Sequence, residues 1–148
     1  MTDNSRTASP KDAGGERVPE RFEEALLSMR HAPRPRGLVL DEVPAPRRLA
    51  PYAAALTAET VQTEGGVPIA TGRFVVLHDP AGQDAWNGDL RIVAMTRSRL
   101  DDEVGADPLL GSAARSWLIE ALDNAGAGYR ALVGTVTRVL SETFGGLE

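Results

Sequence analysis

The stretch that decides the fold is residues 69–99, IATGRFVVLHDPAGQDAWNGDLRIVAMTRSR. Its first third, Ile69 to His78, is the most β-prone run of the chain, with Phe74, Val75, Val76 and Leu77 consecutive. Branched and aromatic side chains of this kind suit a pleated, buried surface. Asp79-Pro80-Ala81-Gly82 then has type I turn chemistry, with Asp first, Pro second and Gly fourth. Asn87-Gly88 is a hairpin signal, because both residues tolerate positive φ. From Asp89 to Arg99 the side chains alternate. Leu90, Ile92, Ala94 and Thr96 fall on one face, and Arg91, Val93, Met95 and Arg97 on the other. The reading is two antiparallel strands, with a mixed and partly solvated second face.

Further strands flank this hairpin. Tyr52 to Gln62 alternates weakly and ends near a Glu64-Gly65-Gly66 turn. Gly37 to Val43 reads as a short edge strand, stopped by Pro44 and Pro46. It lies in a Pro-rich arm, Ala32 to Pro51, which holds five of the ten prolines. Val18 to His31 reads as a helix, with Pro19 at its start and an apolar stripe of Phe22, Ala25, Leu26 and Met29. A second helix starts at Asp107-Pro108. Its stripe runs through Leu110, Ala113, Ala114, Trp117, Leu118, Ala121 and Leu122, and Gly126 is placed as its C′ residue. Tyr129 to Leu140 alternates again and predicts a last strand, reached by a crossover that is right-handed if parallel. The expected fold is therefore α+β. It has a mostly antiparallel four- to five-stranded sheet in α-β-β-β-α-β order, with helices packed on one face and Trp117 as a large core contact. Residues 18–148 are expected to form a single domain, preceded by a polar, disordered tail over 1–17.

Composition narrows the function classes. The net charge of −5 is uneven: residues 1–50 carry +1 and residues 51–148 carry −6. An acidic body argues against direct nucleic-acid binding, which needs cations to displace phosphate counterions. There is no cysteine, which excludes disulfides, Cys-based zinc sites and a Cys nucleophile. No apolar run approaches the ~20 residues of a membrane span, and no apolar h-region opens the chain. A cytoplasmic location is the expectation, with no membrane partner.

The stretches LVLDEVPAPRRLAPYAAAL, GRFVVLHDPAGQDAWNGDLRIVA, ADPLLGSAARSWLIEAL and GTVTRVLSETFGGL resemble an actinobacterial family known only as domain of unknown function 3000. The resemblance covers about residues 18–147. It implies a bacterial cytosolic protein with no assigned activity, cofactor or substrate, and so carries over no catalytic residue. Genes of that family often neighbour those for a ribonuclease D-like protein and for haem biosynthesis. This implies, as one alternative, an accessory role in RNA metabolism through a protein partner. One departure is Ala114-Arg115 before Ser116-Trp117-Leu118, where an apolar or aromatic residue is expected.

Two groups of residues are site candidates. His78, Asp79, Asp84, Trp86 and Asn87 crowd one loop, and Arg73 or Arg91 are near enough in sequence to join them. An imidazole, two carboxylates and an indole suit a polar ligand or acid–base work. The same residue types are also what turns demand, with Trp86 folded back over the sheet. No catalytic constellation emerges: there are two histidines and no Gly-x-Ser-x-Gly elbow, and the one lysine, Lys11, lies outside any phosphate loop. The loop lacks metal-ligand spacing, so neither a metal nor a cofactor is expected. The second group is Arg91, Met95, Arg97, Arg130 and Arg138, interface candidates on one sheet face if their strands are neighbours. Arg and Met are enriched at interfaces, although Arg stems also simply cover apolar surface. The leading expectation is a non-enzymatic interaction or adaptor protein that binds a protein partner or a second copy through this face. The alternative is a small-molecule binder or enzyme using the His78–Asn87 loop.

Overall fold

The structure is a computed structural model that describes residues 17–146. The disordered tail expected over 1–17 falls almost wholly outside the described residues. The chain forms two compact units, one ending at Pro33 and one beginning at Arg34.

The first unit contains helix α1, Glu20–His31. The Pro19 carbonyl accepts from the amides of Phe22 and Glu23, both at 3.0 Å. Glu20 and Glu23 lie in the first turn and Arg30 and His31 in the last, matching the helix dipole at both ends. Phe22 is buried, and Ala25, Leu26 and Met29 are half-buried, the stripe that the spacing predicts.

The second unit is built on a four-stranded antiparallel sheet of β1 (Leu38–Val43), β2 (Tyr52–Thr60), β5 (Ala70–Gln83) and β6 (Gly88–Ser98), in the order β1-β2-β5-β6. Between β2 and β5, the short pair β3 (Thr63–Glu64) and β4 (Val67–Pro68) turns at Gly65 and Gly66, with φ of 60° and 80°. Positive φ at both positions is what glycine supplies at little cost.

The β5–β6 hairpin is longer than its sequence suggests. The turn expected at Asp79–Gly82 is an irregularity inside β5, and the ladder resumes at Gln83 opposite Gly88. Asp79 Oδ1 accepts from the Ala81 amide at 3.0 Å, and Gly82 adopts φ 75°. The residues that suit a type I turn here make a bulge. The chain reverses instead through a 3₁₀ turn at Asp84–Trp86 and a left-handed Asn87.

The buried centre sits at this hairpin end. Ala55, Val75 and Leu77 form the core cluster, with Val43, Ala45, Ala50, Ala53 and Trp86 packed against it. The cross-strand register places these residues on the face that also carries Arg91, Val93, Met95 and Arg97. That face is therefore core near the hairpin and open further along. Loops cover its buried half.

Helix α2 (Asp102–Ala106) follows β6, and α3 spans Leu110–Asn124. Gly126, at φ 64°, closes α3: its amide donates to Asp123 O and the Ala127 amide to Leu122 O, at 3.0 and 2.9 Å. This is the Schellman arrangement that Gly126 foreshadows. Two expectations need correction here. Trp117 is 59% exposed rather than a core contact, and Leu110 is the buried residue of α3. Accordingly α3 does not lie broadly on the sheet. Tyr129 to Leu140 forms no strand. The fourth strand is β1, so the α+β class and antiparallel sheet stand while the last strand of the expected order does not. Alternating residues make a strand only when an edge is offered at hydrogen-bonding distance. Here Arg138 bonds carbonyls at the end of α2 through its side chain and Arg130 lies beside Gly88, and no backbone ladder forms.

Candidate functional site

The loop candidates come together in space, but the side chains of His78, Asp79 and Trp86 are occupied by the fold, whereas those of Asp84 and Asn87 are exposed. His78 is 2% exposed. Its Nδ1 lies 2.9 Å from the Asp89 carbonyl and 4.0 Å from Asp89 Oδ2. Its ring tilts against Tyr52, with centroids 6.2 Å apart. Both carboxylate oxygens of Asp79 take part in local structure, because Oδ2 accepts from Gln83 Nε2 at 3.1 Å. Trp86 packs on the core cluster. Asn87 is the left-handed residue that ends the 3₁₀ turn, and Asp84 begins that turn. A shallow depression of about 510 Å³ lies beside the loop, lined by Pro80, Gln83, Asp84, Asn87 and Asp89 among others. Neither His78 nor Trp86 contributes to its wall. Among the described residues, no group of three or more His, Asp or Glu side chains is placed to hold a metal.

The interface candidates divide differently from expectation. Arg91, Met95 and Arg97 share one face of β6, and the register puts Arg73 directly opposite Met95 on β5. Arg73 belongs to this group and is a residue the sequence reading placed only with the loop. The cross-strand pairing that reveals it needs the register of β5 against β6. Arg91 is half-buried, beside Leu77. Further along, Arg73, Met95 and Arg97 are exposed.

Arg130 and Arg138 lie elsewhere. Arg130 rests against Gly88, where an added Cβ would sit 3.2 Å from its Nη2. Gly88 has the parity of Leu90 and Ile92 on β6, so Arg130 approaches the opposite face from Arg91 and Arg97. Arg138 Nη1 donates to the carbonyls of Gly105 and Asp107, at 3.2 and 2.9 Å. It thereby serves carbonyls at the end of α2, where a cation is favoured. The four arginines do not share one plane.

Strand β6 forms one edge of the sheet. It pairs with β5 on one side and ends the strand order on the other. Ile92 is 62% exposed on one of its faces, and Val93 and Met95 are 44% and 60% exposed on the other. The opposite edge, β1, is six residues long, carries Asp41 and Glu42, and precedes Pro44 and Pro46. Arg34 Nη1 also donates to its Leu40 carbonyl at 3.1 Å.

A model of the family described as "Protein of unknown function (DUF3000)" matches residues 18–148. No curated protein and no solved structure matches the chain.

Proposed function

We propose, for a chain that belongs to the DUF3000 family of proteins of unknown function, a non-enzymatic role in protein interaction, with β6 as the contact strand. One observation carries the reading: Ile92, Val93 and Met95 are exposed on both faces of a single open-edged strand. Scattered apolar side chains on a surface need no explanation, but a contiguous run on an unpaired edge marks a place where another chain gains by docking. Arg73 and Arg97 beside Met95 add polar, directional contacts of the type found at interface rims. The cysteine-free composition supports a cytoplasmic setting. No helix among the described residues is long and apolar enough to cross a membrane. The ligand-binding reading of the His78–Asn87 loop has less support, because His78 and Asp79 are bonded within the hairpin and Trp86 is packed on the core, so that of the candidates only Asp84 and Asn87 line the shallow depression.

The test is site-directed photocrosslinking in the native cell. A photoreactive amino acid in place of Met95 is expected to give a discrete protein adduct. The same residue in place of Arg48, on the exposed arm, is expected to give none. Equal labelling at both positions, or no adduct from position 95, would remove the reading.

A further inference from the structure

Resting on that assignment of β6, we infer that the partner is a second copy of this chain, joined edge to edge through antiparallel pairing of β6 with β6 about a two-fold axis at Val93. The contrast between the two sheet edges comes first. Exposed edge strands are ordinarily blunted by shortness, proline, bulges or a covering segment. Strand β1 is short, runs into Pro44, and has a guanidinium on one carbonyl. Strand β6 is eleven residues long, with neither proline nor bulge in its own backbone. Among the described residues, no backbone hydrogen bond joins residues 88–98 to any segment but β5.

Charge then selects the register. A two-fold axis normal to the sheet pairs residues of equal parity, since each face must continue as the same face. Centring the axis on Val93 sets Asp89 opposite Arg97 of the second copy, Arg91 opposite Met95, and Val93 opposite itself. On the other face it sets Leu90 opposite Thr96 and Ile92 opposite Ala94. Every charged pair is then of opposite sign, and it occurs twice by symmetry. Moving the centre to Ala94 would oppose Arg91 to Arg97. Moving it to Ile92 would leave Asp89 opposite Met95 and no charge paired. Directly opposed side chains lie ~4.5–5.5 Å apart at Cβ, so opposite charges there attract and like charges repel. The Val93 register also buries Ile92, Val93 and Met95, the apolar side chains left exposed on β6 in one copy. The product is a continuous eight-stranded sheet.

Disulfide trapping reads the register directly, because the chain has no cysteine of its own. Val93→Cys is expected to give a covalent dimer under mild oxidation, since paired Cα atoms at ~4.5–5.5 Å lie within disulfide reach. Ile92→Cys is expected not to, because its mate is Ala94, and neither is Val39→Cys on the far edge. Sedimentation equilibrium on the full chain, from low to several hundred micromolar, is expected to show a dimer that Arg97→Glu weakens by ~100-fold. Asp89→Arg is expected to weaken it similarly, and an equimolar mixture of the two variants to restore it. Because Asp89 touches the buried His78, Arg97→Gln provides a second, surface-only variant with a smaller loss. A strictly monomeric chain would overturn the inference, as would a dimer indifferent to Arg97 or trapped equally at 92 and 93. A monomer that still gives a position-95 adduct with a different protein would defeat this inference alone. Absence of both would defeat the interaction reading too.

Discussion

At the scale of single residues, the polar groups that look like chemistry in the sequence turn out to hold the hairpin. Asp79 accepts from a backbone amide and from Gln83, and His78 is bonded to the Asp89 carbonyl. Asp79→Ala is expected to cost about 1–2 kcal/mol, roughly two modest hydrogen bonds, measured as a lower urea midpoint at unchanged m-value. Asp101 caps α2, its Oδ1 accepting from the Val104 amide at 3.0 Å. Its replacement by Ala is expected to cost about 1 kcal/mol, or less if this five-residue helix frays ahead of global unfolding. The turn residues were legible because their types report local geometry. Burial of His78 was not, since nothing in a one-dimensional pattern says that its side of β5, opposite the face of Val75 and Leu77, is also covered. Arg130 and Arg138 misled for a related reason. Alternation put them on a strand, whereas the Arg130 guanidinium lies beside Gly88 and that of Arg138 bonds the α2 carbonyls.

At the scale of elements, α1, α3 and the meander followed from periodicity and punctuation, whereas the short α2 did not. The edge strand β1 and the Gly126 closure of α3 stand where their residues indicate, and the β5–β6 hairpin forms with its reversal at Asp84–Asn87 rather than at Asp79–Gly82. Gly126→Ala is expected to cost about 1 kcal/mol, because a Cβ is disfavoured at φ 64°. Thermal unfolding would show it as a shift of a few degrees. The final segment is where local preference and tertiary placement part. Tyr129 to Leu140 has strand composition but no ladder, and the Arg138 contacts to α2 fasten it. Arg138→Ala is therefore expected to speed limited proteolysis within residues 130–146 while leaving β2 and β5 intact. Equal cleavage rates in both proteins would mean that Arg138 does not anchor this segment.

At the scale of the whole molecule, the account reduces to an asymmetry between the two edges of one sheet. The β1 edge is short, acidic and flanked by proline, whereas the β6 edge is long and regular, with Ile92 exposed on one face and Val93 and Met95 exposed among arginines on the other. The sequence showed which side chains share a face of β6. It could not show that β6 ends the sheet, because strand order depends on long-range pairing that no local pattern encodes. Nor could it show that the loops carrying Ala45, Ala50 and Trp86 would cover only half of the arginine-bearing face.

The measurement that tests this asymmetry most directly is amide hydrogen exchange of the full chain at low and high protein concentration, resolved along β1 and β6. Outward-facing amides of residues 88–98 are expected to gain protection as concentration rises, while those of residues 38–43 stay constant. Protection that is independent of concentration along β6, or that rises equally at both edges, would contradict the assignment of β6 as the contact strand between copies.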